Sequence, residues 1–233
     1  MSAPEASPSP RDPDPLRAAA DTMRAVRERC VWSQRITHRD LVPYLIEESH
    51  EVIDAVEGGT RADLREELGD LLWQVLFHAA IAAQDPDDPF DIDDVAATLT
   101  EKMVRRHPHV FAGETATTPE EVLVHWNAAK AAEKRTRSSV LDGIPRGMPA
   151  LALAQKVVGR AEAAGVVLED GPVDDAAAPS SAPGTAPSTE AELGDALLHL
   201  VAPARARGWD AERALRERVR GLEADVRQAE SGA

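Results

Sequence analysis

Between Leu41 and Ala83 apolar residues recur at helical spacing, and the run is broken once, at Glu57-Gly58-Gly59-Thr60. Two stretches of helical period joined by so short a break fold back on each other as antiparallel neighbours with facing apolar stripes. Gly58 and Gly59 suit a left-handed helix end, and Thr60 with Asp63 makes an N-cap and a capping box. The same periodicity and punctuation predict helices over about 16–30, 41–57, 61–84, 91–106, 119–137, 149–164, 190–206 and 209–230. Pro43 then falls in the first turn of the second helix. Ala and Leu dominate and only 3% of residues are aromatic, which favours helix over sheet. The fold class is therefore all-α, a helical bundle.

The hairpin is also unusually acidic on its inner side. Glu47, Glu48 and Glu51 lie on the first helix, and Glu67 and Asp70 on the second. Glu48 and Glu51 are one turn apart, as are Glu67 and Asp70, and each pair borders the apolar stripe of its helix. Antiparallel packing brings the two pairs together across the groove. Carboxylates converging beside a core repel one another and are poorly solvated. A hard divalent cation removes that conflict, and oxygen-only ligands point to Mg²⁺, with Mn²⁺ as a substitute, rather than zinc. Mg²⁺ on carboxylates commonly serves phosphate chemistry. Asp54, Glu57, Asp63 and Glu66 read instead as solvated surface.

The rest of the chain narrows the function further. Lys102 and Arg106 fall one helical turn apart on one face, a spacing suited to clamping phosphates. Trp126 suits either a base-stacking platform or core filling, and Lys130 follows it by one turn. His107 and His109 flank Pro108, and a structural role fits them best. A net charge of −15 disfavours nucleic acid and anionic membranes as partners. The apolar run over 71–83 is too short to span a bilayer, and no secretory signal is visible. One cysteine, Cys30, excludes an internal disulfide and a cysteine-based zinc site, in keeping with a cytoplasmic protein. Trp73, Leu76 and Phe77 point to different sides of their helix, more than one bundle layer needs, so a homodimer is expected.

The stretch "CVWSQRITHRDLVPYLIEESHEVIDAVEGGTRADLREELGDLLWQVLFHA", followed by "EKMVRRHPHVFAGE", "VHWNAAK" and "LDGIPRGMPALALAQKV", resembles the MazG nucleoside triphosphate pyrophosphohydrolases of the all-α NTP pyrophosphatase superfamily. The resemblance implies a dimerising helical bundle that hydrolyses an NTP or dNTP to the monophosphate and pyrophosphate with Mg²⁺, clearing excess or aberrant nucleotides. It implies metal ligation by Glu48, Glu51, Glu67 and Asp70, with Glu47 on metal or water. It implies substrate contacts at Lys102, Arg106, Trp126 and Lys130. Base-specific relatives, such as dUTP, dCTP or phosphoribosyl-ATP pyrophosphatases, and a non-catalytic nucleotide-sensing module are the alternatives. The family's C-P-W-D reads Cys30-Val31-Trp32-Ser33 here, so the role of that loop does not carry over.

On this reading residues 1–15 form a disordered leader, 16–140 the catalytic helical domain and 141–148 a linker. Residues 149–233 form a degenerate second repeat with a disordered insert at about 171–189. The repeat rests on "EELGDLLWQVLFHA" at 66–79, which returns as "AELGDALLHLVAPA" at 191–204. Glu192 and Asp195 match Glu67 and Asp70, but nothing upstream matches the EExxE helix, so the repeat is expected to be catalytically dead.

Overall fold

The computed structural model describes residues 14–133, 138–166 and 187–231, and its described residues contain helices and no strand. Most of the leader and most of the insert anticipated from sequence lie outside the described residues. The chain divides into two compact units, Met1–Glu133 and Lys134–Ala233.

The first unit holds α1 (Pro15–Arg29), a 3-10 turn (Ser33–Arg35), α2 (His38–Glu57), α3 (Arg61–Ala82), α4 (Ile92–Arg106), α5 (Pro108–Phe111) and α6 (Pro119–Glu133). The α2–α3 hairpin is its central packing. α1 and α4 pack on α3, and α5 and α6 pack on α4. Ala20 and Met23 of α1, Leu41 of α2, and Leu76 and Phe77 of α3 form the core. Phe77 is fully buried, and an aromatic side chain of that size contributes roughly 1.5–3 kcal/mol when removed from water. Arg27 is buried beside this core. It donates to the carbonyls of Ser33 and Ile36 and, at 2.9 Å, to Gln84 Oε1, so it ties the 3-10 turn and the end of α3 to α1.

Two local expectations are corrected. The second helix begins at His38 rather than near 41, because Thr37 and Asp40 form a reciprocal capping box. Pro43 consequently sits beyond the first turn and removes one intrahelical hydrogen bond. Gly58 and Gly59 are not left-handed; Gly58 has φ −153° and ψ −5°. Gly59 is needed for space: a Cβ there would lie 2.8 Å from Ala55 Cα and 3.0 Å from Ala55 O. The Thr60–Asp63 capping box is present as expected. α5 is an addition that sequence periodicity does not reveal.

The second unit contains α7 (Ala150–Ala163), α8 (Glu190–Ala206) and α9 (Ala211–Ser231), with α7 packed on both others. Val158 and Val201 are its buried hydrophobic residues among those described. Gln155 links α7 to the start of α9, donating to Trp209 O at 2.8 Å and accepting from Ala211 N–H at 3.0 Å.

Gly59→Ala should destabilise the first unit by about 2 kcal/mol, because the added methyl meets rigid backbone rather than a flexible side chain. Gly58→Ala, whose Cβ meets nothing nearer than 3.9 Å, should be milder. Thermal melts of the two variants check the order; equal Tm values would refute the steric role of Gly59.

Candidate active site

The hairpin register determines which acids meet. Glu48 and Asp70 lie about equally far from the turn, as do Glu51 and Glu67, so each acid on α2 faces one on α3. One oxygen from each of Glu48, Glu67 and Asp70 lies within 4.8 Å of the others, and all three side chains are half-buried. Partial burial raises the pKa of Glu48, and the charges of Asp70 and Glu51 raise it further. Glu67 is raised in the same way, by burial first and then by Glu51 and Asp70. Glu51 therefore adds its charge to the cluster from the exposed end of the groove. Glu47 is exposed and stands outside the three-carboxylate group.

Gln74 completes this picture, and sequence reasoning passed over it. It follows Asp70 by one turn of α3 and is 1% exposed, yet neither amide atom makes a well-formed hydrogen bond. Its amide lies near enough to Glu48 to oppose the rise in that carboxyl's pKa. A buried amide without partners is rare in a folded protein. Three converging carboxylates and an orphaned amide fit a hard divalent cation with oxygen ligands. The available signal was a single Gln inside the apolar run "LLWQVLF".

The basic residues form a second group on α4 and α6. Arg106 lies with its guanidinium carbon 4.9 Å from the Trp126 ring centroid, and His107 meets the same ring edge-on at 5.2 Å. One face of the indole is thus covered by a cation. Nε and Nη2 of Arg106 donate to the Glu133 carboxylate, which also accepts two hydrogen bonds from Arg105. Those bonds draw the Glu133 carboxyl down to about 2 and raise the Arg106 guanidinium. Lys102 and Lys130 are half-buried and make no ion pair with any described residue. His107 donates from Nδ1 to Met103 O at 2.7 Å, a local structural role. Nothing in the sequence singles out Glu133, which reads as an ordinary surface acid on a helix.

In the second unit the repeated tetrapeptide does a different job. Glu192 accepts hydrogen bonds from the backbone N–H and the hydroxyl of Ser188, both at 2.7 Å. Thr189 caps α8 by accepting from Glu192 N–H. Those bonds lower the Glu192 pKa, the opposite of the shift at Glu67.

Comparison with known proteins decides the family. The model of the MazG nucleotide pyrophosphohydrolase domain matches residues 36–111. The nucleoside triphosphate pyrophosphohydrolase of Escherichia coli K12 is 36% identical over 229 residues, covering 93% of this chain and 86% of that protein. The chain belongs to the MazG family.

An uncharacterised 26.1 kDa protein from the blaB 3′ region of Streptomyces cacaoi is 47% identical over 92% of this chain and 82% of its own length. The nucleoside triphosphate pyrophosphohydrolase of Mycolicibacterium smegmatis is 46% identical over 70% of this chain, which spans about half the length of that relative (51%). The MazG match contains the whole acidic hairpin together with Lys102 and Arg106; Trp126, Lys130 and Glu133 lie beyond it.

The raised carboxyls set a pH dependence whose sign is fixed. Where the folded pKa exceeds the unfolded value of 4.5, the native state holds extra protons, so stability falls as pH rises through that window. Without divalent cation, Glu48→Gln should therefore melt higher than wild type at neutral pH, and the gap should close on acidification to about pH 4, the ordinary carboxylate range. A Glu48→Gln variant that melts lower at neutral pH would contradict the repulsion described here.

Proposed function

We propose that this MazG protein is a Mg²⁺-dependent nucleoside triphosphate pyrophosphohydrolase that converts NTPs and dNTPs to the monophosphate and pyrophosphate, clearing excess or aberrant nucleotides. The observation that carries the reading is the convergence of Glu48, Glu67 and Asp70 within 4.8 Å. Glu48, Glu51, Glu67 and Asp70 hold the metal. When bound, Mg²⁺ neutralises phosphate charge and makes water more acidic. Glu47, exposed beside Glu48, accepts the proton of the attacking water. The water oxygen bonds to Pα in line with the bridging oxygen, the bond from Pα to that oxygen breaks, and pyrophosphate leaves. Lys102, Arg106 and Lys130 hold the phosphates, and the Trp126 face not covered by Arg106 stacks the base.

Two further features belong to the same reading. The protein is a homodimer: Trp73 on α3 remains 39% exposed, and Leu45, Val56, Leu68 and Val75 are also exposed on the hairpin. The chain works in the cytoplasm, in keeping with its single cysteine, and no helix among the described residues is long and apolar enough to cross a membrane. Residues 149–233 form a degenerate repeat in which the Glu192 carboxylate is bound by Ser188 at the start of α8, and among the described residues no acidic cluster that could hold a metal forms there.

A panel of NTPs and dNTPs with Mg²⁺ should release pyrophosphate, not orthophosphate. Glu67→Gln with Asp70→Asn should lose activity by at least about 10³-fold, as expected when a cation's charge stabilisation is removed. Glu192→Gln with Asp195→Asn should keep near-wild-type turnover. Loss of activity only in the second double variant would overturn the site.

A further inference from the structure

The Arg106 side chain is gripped from two directions and is only 14% exposed. Its guanidinium plane lies over Trp126, and its Nε/Nη2 edge is bound by Glu133 at 3.2 and 2.6 Å. Arg105 donates Nε and Nη2 to Glu133 Oε1 at 3.0 and 2.8 Å. The carboxylate thus pins the last residues of α4 to Glu133 of α6.

We propose that Glu133 is the positioning residue of the phosphate site: it locks the guanidinium of Arg106 against Trp126 so that the remaining edge meets the substrate's phosphates. The proposal rests on the reading above that Arg106 is a phosphate ligand. Donor counting supports it. A guanidinium has five N–H groups, of which Glu133 takes two, and Nη1 donates to none of the described residues. A phosphate can therefore engage the free edge without displacing the carboxylate. Charge supports it as well. Two guanidiniums against one carboxylate leave a net positive charge at the C-terminus of α4, which already favours cations.

Helical spacing extends the consequence to both lysines. Lys102 precedes Arg106 by one turn of α4, and Lys130 precedes Glu133 by one turn of α6. The Arg106–Glu133 pair therefore sets the separation of the two helices that carry the three proposed phosphate contacts. Glu133 stands one turn from Lys130 but binds the arginines instead, which leaves both lysines without an ion-pair partner among the described residues. With its carboxyl drawn down to about 2, Glu133 stays ionised across any working pH.

The test is a double-mutant cycle of Glu133→Gln and Arg106→Gln. It is read as KM for the best-cleaved triphosphate of the panel and as inhibition by inorganic pyrophosphate. Glu133→Gln should raise both constants by about tenfold or more, in the range that misplacing one binding group produces, with kcat changed far less. It should add nothing in the Arg106→Gln background. Glu133→Asp should restore part of the loss. A Glu133→Gln effect as large with Arg106→Gln as without it, or a lowered KM showing that the carboxylate competes with phosphate, would overturn the proposal. So would a lowered Tm with KM unchanged, which would mark Glu133 as a structural brace. If Arg106→Gln itself leaves KM unchanged, the phosphate-ligand reading has failed, and the proposal falls with it; if Arg106→Gln raises KM and Glu133→Gln does not, the positioning role alone has failed.

Discussion

The approach of the α2–α3 turn to its own helix controls the first unit. Gly59 passes so close to Ala55 that no side chain fits. That contact determines where α3 turns back, and with it the register of the hairpin. Register in turn sets Glu48 opposite Asp70 and Glu51 opposite Glu67. A helical hairpin slipped by one residue would rotate each acid by about 100° and scatter the cluster. The core made by Met23, Leu41, Leu76 and Phe77 then holds that register on the side away from the turn.

The two charged groups of the first unit are built on opposite principles. The acidic group is left uncompensated by protein: carboxylates repel, Glu48 and Glu67 titrate high, and Gln74 is buried without a hydrogen bond. The basic group is compensated internally, since Glu133 binds both arginines. On the function proposed above, the uncompensated group takes a cation, whereas the compensated one is already shaped. A substrate that carries its own negative charge needs the second kind of preparation, because a disordered arginine must be immobilised at each encounter.

Local signals made part of this legible. The acid pairs, the Thr60 cap and the helix spans follow from spacing within a few turns, and the structure has helices where periodicity placed them. Thr37 and Asp40 carry an equally readable capping box, and Pro43, which a first turn would tolerate, does not mark the start of α2. The remainder was illegible for a physical reason. Gln74, Glu133 and Arg27 owe their roles to neighbours far along the chain, and Gly59 to a backbone approach, none of which leaves a periodic trace. The repeated "ELGD" shows the limit most directly. In α3 it begins in the second turn, but in α8 it begins in the first, where the same acid meets the N–H and hydroxyl of Ser188 instead of other carboxylates.

That difference has a consequence for anyone wishing to build a metal site into the second unit. Adding an acidic helix upstream would not be enough, because Glu192 already anchors the beginning of α8 through Ser188. Turning it toward a cation would unmake the helix start that holds it in place. The route is instead to lengthen α8 at its front by one turn, moving the cap away and freeing the carboxylate. Helix phase relative to its cap, rather than residue identity, is the design variable that separates a ligand from a brace.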